Sequence, residues 1–146
     1  MKIKNTMKLF IFSLITLLCS PKNEKKLDSK HKLTIEIQGV SSKKGNILIA
    51  LYTNKNEFAS KTDTHKNKIQ AASSKVMVFD NLDSESYAFA VFHDENNNGI
   101  MDKNFFGVPT EKYGFSNNAR ETFSAPSFKA ASFEVKSDKK VSVILK

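Results

Sequence analysis

Residues 94 to 102 read Asp94-Glu95-Asn96-Asn97-Asn98-Gly99-Ile100-Met101-Asp102, a D-x-N-x-N-G-x-x-D pattern. Alternate residues of a tight loop point toward one centre. The oxygens of Asp94, Asn96 and Asn98 are therefore expected to converge, with Gly99 permitting the sharp turn. The carbonyl of Ile100 supplies a further oxygen, and Asp102 closes the set directly or through water. Hard oxygen donors without His or Cys suit Ca²⁺ rather than zinc or copper. With Asp94 as the first position the twelfth is Phe105, where a calcium loop of the helix-loop-helix type carries a bidentate Glu. Two carboxylates without that acid predict weak affinity, on the order of 10⁻⁴ to 10⁻³ M. The competing reading is an Asn/Asp/Gly turn whose side chains cap backbone groups with no ion.

Two other groups of residues have the right types for chemistry. His93 adjoins Asp94, with Ser116 downstream, and a hydrolase using His93 and neighbouring acids is the alternative function. Against it, no nucleophile-elbow motif is present, and Asp94 and Asp102 are already accounted for by the turn. By alternation His93 shares a face with Tyr87, Phe89 and Val91, the position of a hydrogen-bonded, partly buried residue. His65 is too isolated for a His-based zinc site. Further along, Tyr113, Phe115, Asn117, Asn118 and Arg120 combine aromatics, amides and a guanidinium, the ingredients of a sugar or peptide recognition surface. Those aromatics serve equally well as anchors that pin a long connection to the core.

These loops need a scaffold, and 146 residues make one domain. Leu33 to Gln38 alternates apolar and polar, the mark of a strand with one buried face. Asn46 to Tyr52 (NILIALY) and Tyr87 to His93 (YAFAVFH) are apolar on both faces, as central covered strands are. Lys75 to Phe79, Ser132 to Lys136 and Val141 to Leu145 add short strands, whereas Asn54 to Lys68 reads as an irregular connection with one helical turn. The expected fold is all-β, a single antiparallel β-sandwich of immunoglobulin-like or transthyretin-like kind with about seven strands, spanning 33–146. A barrel, or a mixed α+β domain using 54–72, is the alternative.

Placement in the cell is read from residues 1–32. Lys2, Lys4 and Lys8 precede the apolar run Leu9 to Leu18, which is too short for a permanent span, and Cys19 follows. Residues 1–19 are therefore expected to be an export signal of lipoprotein type, with Cys19 acylated. Leu17 and Leu18 depart from the usual small residue before that cysteine. Residues 20–32 (SPKNEKKLDSKHK) form a polar tether. The protein is then exported to the periplasm, the outer membrane or the cell surface, touching membrane only through the lipid. One cysteine excludes an intramolecular disulfide framework and a CxxC motif. The net charge of +8 is concentrated in 1–32, which carries eight Lys against Glu24 and Asp28; the remainder is nearly balanced. Without a basic stripe, nucleic-acid binding is not expected.

The runs Val91 to Gly99, Met101 to Pro109, Tyr113 to Ala119 and Pro126-Ser127-Phe128 closely resemble the bacterial domain of unknown function 2141 family, over about Leu33 to Leu145. The resemblance implies an exported small β-domain with no assigned activity. Phe92 to Val108 is also similar to the calcium loop of B-type repeats in Gram-positive surface adhesins, which usually carry a Glu near the place of Phe105. The expected function is thus a non-enzymatic binding or structural module of the cell envelope with a weak Ca²⁺ loop and a protein or glycan partner.

Overall fold

The computed structural model describes residues 29–53, 58–59 and 66–146. Among the described residues eight strands form two sheets: β1 (His31–Gln38), β2 (Asn46–Tyr52), β3 (Lys66–Ala71), β4 (Val76–Leu82), β5 (Glu85–Asp94), β6 (Tyr113–Phe115), β7 (Phe133–Val135) and β8 (Lys139–Ile144). The three-stranded sheet runs β4-β1-β8. The other runs β3-β2-β5-β6, with β7 paired to the first residues of β5. The fold is an all-β sandwich.

Alternation decides what fills the space between the sheets. Leu33, Ile35 and Ile37 of β1 face Ile47, Ile49 and Leu51 of β2 and Phe89 and Val91 of β5, with Met77, Val143 and Leu145 completing one cluster. Each such side chain contributes on the order of 1.5–3 kcal/mol when fully buried. Gly114 lets β6 close one side of the sandwich, because a Cβ there would stand 2.9 Å from Val143 Cγ2. Beside it, Tyr113 and Lys146 exchange backbone hydrogen bonds of 3.2 and 3.1 Å.

Several details differ from the sequence reading. β3 lies partly in the segment read as an irregular connection, and its alternation is masked because both Lys66 and Lys68 fall on the inward side opposite Leu51 and Ile49. Their aliphatic stems cover apolar surface while the ammonium groups reach the carbonyls of Asp80 and Val78 on β4. β6 has only three residues. β1 and β8 pair in parallel, so the sandwich is not purely antiparallel. The strand begins at His31, which is buried with Nε2 2.8 Å from Ser84 Oγ, so the last two residues of the expected tether belong to the domain. One helical turn, α1 (Phe128–Ala131), is capped by the Ser127 side chain, which accepts from Ala130 N–H.

The chain's ends and turns define two poles. Lys30 pairs with Asp83 and His31 with Ser84 at one pole. At the other, the 39–45 turn meets the end of β5, where Ser41 Oγ lies 3.2 Å from His93 Nδ1.

Candidate functional site

The loop that leaves β5 is held by side-chain oxygens. Asp94 is 1% exposed. Its Oδ1 accepts Asn98 N–H at 3.1 Å, and its Oδ2 accepts Gly99 N–H at 2.8 Å. Asn96 Oδ1 also accepts Asn98 N–H at 3.0 Å, and Asn98 Oδ1 accepts Ile100 N–H at 2.8 Å. The amides of Asn96 and Asn98 donate to the two oxygens of Asp102 at 2.6 and 3.0 Å. Asn97 and Gly99 take φ of 61° and 77°, conformations that Asn tolerates and Gly adopts freely.

Asp94, Asn96, Asn98 and Asp102 are thus brought together, with Ile100 joined to them through its N–H. The arrangement satisfies itself as a network of caps. Among the described residues no three His, Cys, Asp or Glu side chains stand close enough to hold a metal between them. Each carboxylate nevertheless uses two of its about four lone-pair positions, so the oxygens retain capacity for a cation.

A residue missed in the sequence locks this loop. Glu111 Oε1 accepts Glu95 N–H and its Oε2 accepts Asp102 N–H, both at 3.1 Å, so one carboxylate staples the loop's two ends. The intervening chain doubles back, with Lys103 bridged to Pro109 and Thr110 N–H donating to Asp102 O at 2.9 Å. An acid directly after that hairpin is the signal that points to Glu111. The tip is made by Asn104, whose Oδ1 accepts Phe106 N–H and Val108 N–H at 3.0 and 3.1 Å. It presents Phe105 and Phe106 to solvent, 97% and 85% exposed and packed edge to face at 5.5 Å.

His93 is fully buried. Its Nε2 lies 2.8 Å from the carbonyl oxygen of Lys44, and because a carbonyl only accepts, Nε2 carries the proton. Ser41 Oγ and Glu95 Oε1 both approach the same nitrogen, Nδ1, at 3.2 and 3.5 Å. A hydrolytic triad instead places serine and acid on opposite nitrogens, with the serine open to substrate. Ser116 is remote from His93, buried, and accepts Phe89 N–H at 2.9 Å. What His93 does visibly is tie the 39–45 turn to the end of β5.

The segment 113–120 divides in two. Asn117 donates to the carbonyls of Ala130 and Ser132, and Asn118 Oδ1 accepts Ile144 N–H at 2.8 Å, so both amides are spent on holding chain segments together. The Arg120 guanidinium lies 5.4 Å from the centre of the Tyr113 ring and donates to the Tyr113 carbonyl. Tyr113 and Phe115 point to the outer face of the five-stranded sheet, beside Phe92 and Ala90.

That outer face carries a concavity. Leu48, Ala50 and Tyr52 of β2, Ile69 of β3, Phe92 of β5 and the two β6 aromatics floor a trough of about 930 Å³. Ile100, Met101, Phe106, Val108 and Phe123 form its wall and rim. Phe58 pins one end, with ring centres 5.4 Å from Tyr52 and 5.9 Å from Phe115. Burial in this floor raises the Tyr52 hydroxyl above its ordinary pKa. Phe123 is fully exposed, and Ile69, Ile100 and Val108 are more than half exposed. Monomers rarely leave so many large apolar side chains in water around one hollow.

Cys19, the apolar run Leu9 to Leu18 and the tether as far as Asp28 lie outside the described residues. Among the described residues no helix is long and apolar enough to cross a membrane. A family model described as "Uncharacterized protein conserved in bacteria (DUF2141)" matches residues 35–143. No curated protein and no solved structure matches the chain.

Proposed function

The chain belongs to the DUF2141 family, and from that premise we propose that it is a non-catalytic binding module of the cell envelope whose contact surface is the apolar trough. The observation that carries this reading is the trough itself: about 930 Å³, floored by half-buried aliphatic and aromatic side chains and rimmed by Phe106 and Phe123 in nearly full contact with water. Its volume falls in the range of ligand-binding hollows, roughly 300–1,000 Å³. Apolar side chains make most of its lining, with Lys103 and Glu121 among the charged members, a mix that suits a protein surface carrying both apolar and charged groups.

The Asp94 to Asp102 loop serves that surface. Asp94 and Glu111 hold the base of the hairpin, and the hairpin holds Phe105 and Phe106 at the rim. We further propose that Ca²⁺ binds weakly among Asp94, Asn96, Asn98, the Ile100 carbonyl and Asp102, adding stiffness to a loop already capped without it. The Asn96 and Asn98 amides turn away from Asp102 when it does, which keeps the affinity low.

Export and acylation of Cys19 complete the proposal. A lipid there holds the Ser29 pole toward the membrane, and the 94–112 loop then emerges from the pole facing away, toward partners. Anilinonaphthalene sulfonate, an anionic fluorophore that brightens on apolar surface, tests the contact surface when titrated into dilute protein. We expect one saturable site, weakened tenfold or more by Phe106→Ser with Phe123→Ser. Absence of binding, or binding unchanged in that variant, would refute the reading.

A further inference from the structure

We propose that the partner in the trough is a second copy of the same chain, bound about a two-fold axis so that each copy's Phe105–Phe106 tip fills the other's trough. This rests on the trough being a contact surface and names what it contacts. Three observations select this occupant.

The first is area. At roughly 200 Å² for a fully exposed phenylalanine side chain, Phe105, Phe106 and Phe123 present on the order of 550 Å². Ile69, Ile100 and Val108, each more than half exposed, enlarge that patch. The total approaches the about 800 Å² that each partner buries in a standard interface, beyond the about 300–600 Å² of an ordinary monomer's largest patch.

The second is shape. One chain carries both a hollow and, on its rim, an aromatic knob standing clear of its own core. A two-fold axis uses both at once and leaves neither exposed, whereas a head-to-tail arrangement would leave a free knob and a free hollow at its ends.

The third is charge. Lys103 and Glu121 line the trough, both are exposed, and neither forms an ion pair among the described residues. Opposite charges on one surface allow two-fold pairing to be charge-complementary, with Lys103 of each copy set against Glu121 of the other. A partner of uniform charge would leave one of the two opposed.

Sedimentation equilibrium of the full chain tests this, with Cys19→Ser throughout so that neither an acyl chain nor an intermolecular disulfide drives association. We expect a dimer with micromolar dissociation constant, weakened a hundredfold or more by Phe105→Ser with Phe106→Ser. Lys103→Glu and Glu121→Lys should each weaken it several-fold, and the double reversal should restore it. Circular dichroism checks that each variant keeps its strands. A monomer that binds the fluorescent probe in the trough would overturn the dimer and leave the binding module standing. A monomer that binds no probe would overturn both. A dimer unaffected by the Phe105 and Phe106 changes, or charge reversals that do not compensate, would also overturn the inference.

Discussion

Replacing Asp94 with Ala should cost far more than replacing Asp102, although both are acids of the same loop. Asp94 is buried, and each of its oxygens accepts a backbone N–H, from Asn98 and Gly99. A hydrogen bond to a charged group contributes about 1.5–3 kcal/mol net, so losing two predicts about 3–6 kcal/mol. That is a large share of the about 5–15 kcal/mol that keeps a domain folded. Asp102 is partly exposed and accepts from two side-chain amides that water can satisfy, so Asp102→Ala should cost about 1 kcal/mol or less. The chain has no Trp, and urea unfolding followed by far-UV circular dichroism is the suitable assay. At a slope of about 2 kcal/mol/M the Asp94→Ala midpoint should fall by roughly 2 M with the slope unchanged. Amide exchange at Asn98 and Gly99 should accelerate in the same variant. A loss below about 1 kcal/mol for Asp94→Ala, or equal losses for both, would refute the claim that Asp94 anchors the loop.

Calcium should raise stability modestly: at ten times a millimolar dissociation constant the gain is about 1.4 kcal/mol, read as an upward shift in melting temperature that chelator reverses. An unchanged melting point at that concentration would remove the metal. Cys19→Ser should abolish acyl labelling and release the protein from membranes; retention of both would contradict the proposed address. At high pH, stability should decline as Tyr52 and Tyr87 ionise. Burial raises both hydroxyls above the free value, so the stability each contributes is intact below the unfolded pKa and lost as pH rises through the folded one. Spectrophotometric titration checks this, and two tyrosines ionising at the free value in folded protein would contradict it. Glu134 is held below the usual carboxylate range first by the Ser86 hydroxyl and then by Lys136. Its contribution is therefore present above the unfolded pKa and lost as pH falls through the folded one, and Ser86→Ala should move its NMR titration upward.

Strands with strict alternation were legible because burial is written at period two. Leu33, Ile35 and Ile37 are buried as their spacing requires, and NILIALY is apolar on both faces because its outer side floors the trough. β3 was not legible, since two of its inward positions are lysines whose charges exit to β4 carbonyls. The parallel pairing of β1 with β8 joins residues more than a hundred positions apart, a choice no local pattern encodes. At the site, the spacing points to Asp94, Asn96, Asn98 and Asp102 as one group, and the structure joins them as a network of caps in which the Asn oxygens accept backbone N–H groups and the Asn amides face Asp102. Glu111 carries a fainter signal, its place directly after the hairpin, because its partners Glu95 and Asp102 are reached only once that hairpin has reversed the chain. Asn117 and Asn118 looked like a recognition surface by composition, whereas their partners are backbone groups of α1, β8 and the Ser132 cap.

The trough is tested most directly by methyl-resolved NMR of the Ile, Leu and Val labelled chain, kept dilute enough to be monomeric, during titration with the same fluorescent probe. The account predicts saturable shifts at Leu48, Ile69, Ile100 and Val108, and none at Ile35, Ile37 and Val143 between the sheets. Shifts confined to the interior, or spread evenly over both sets, would contradict it.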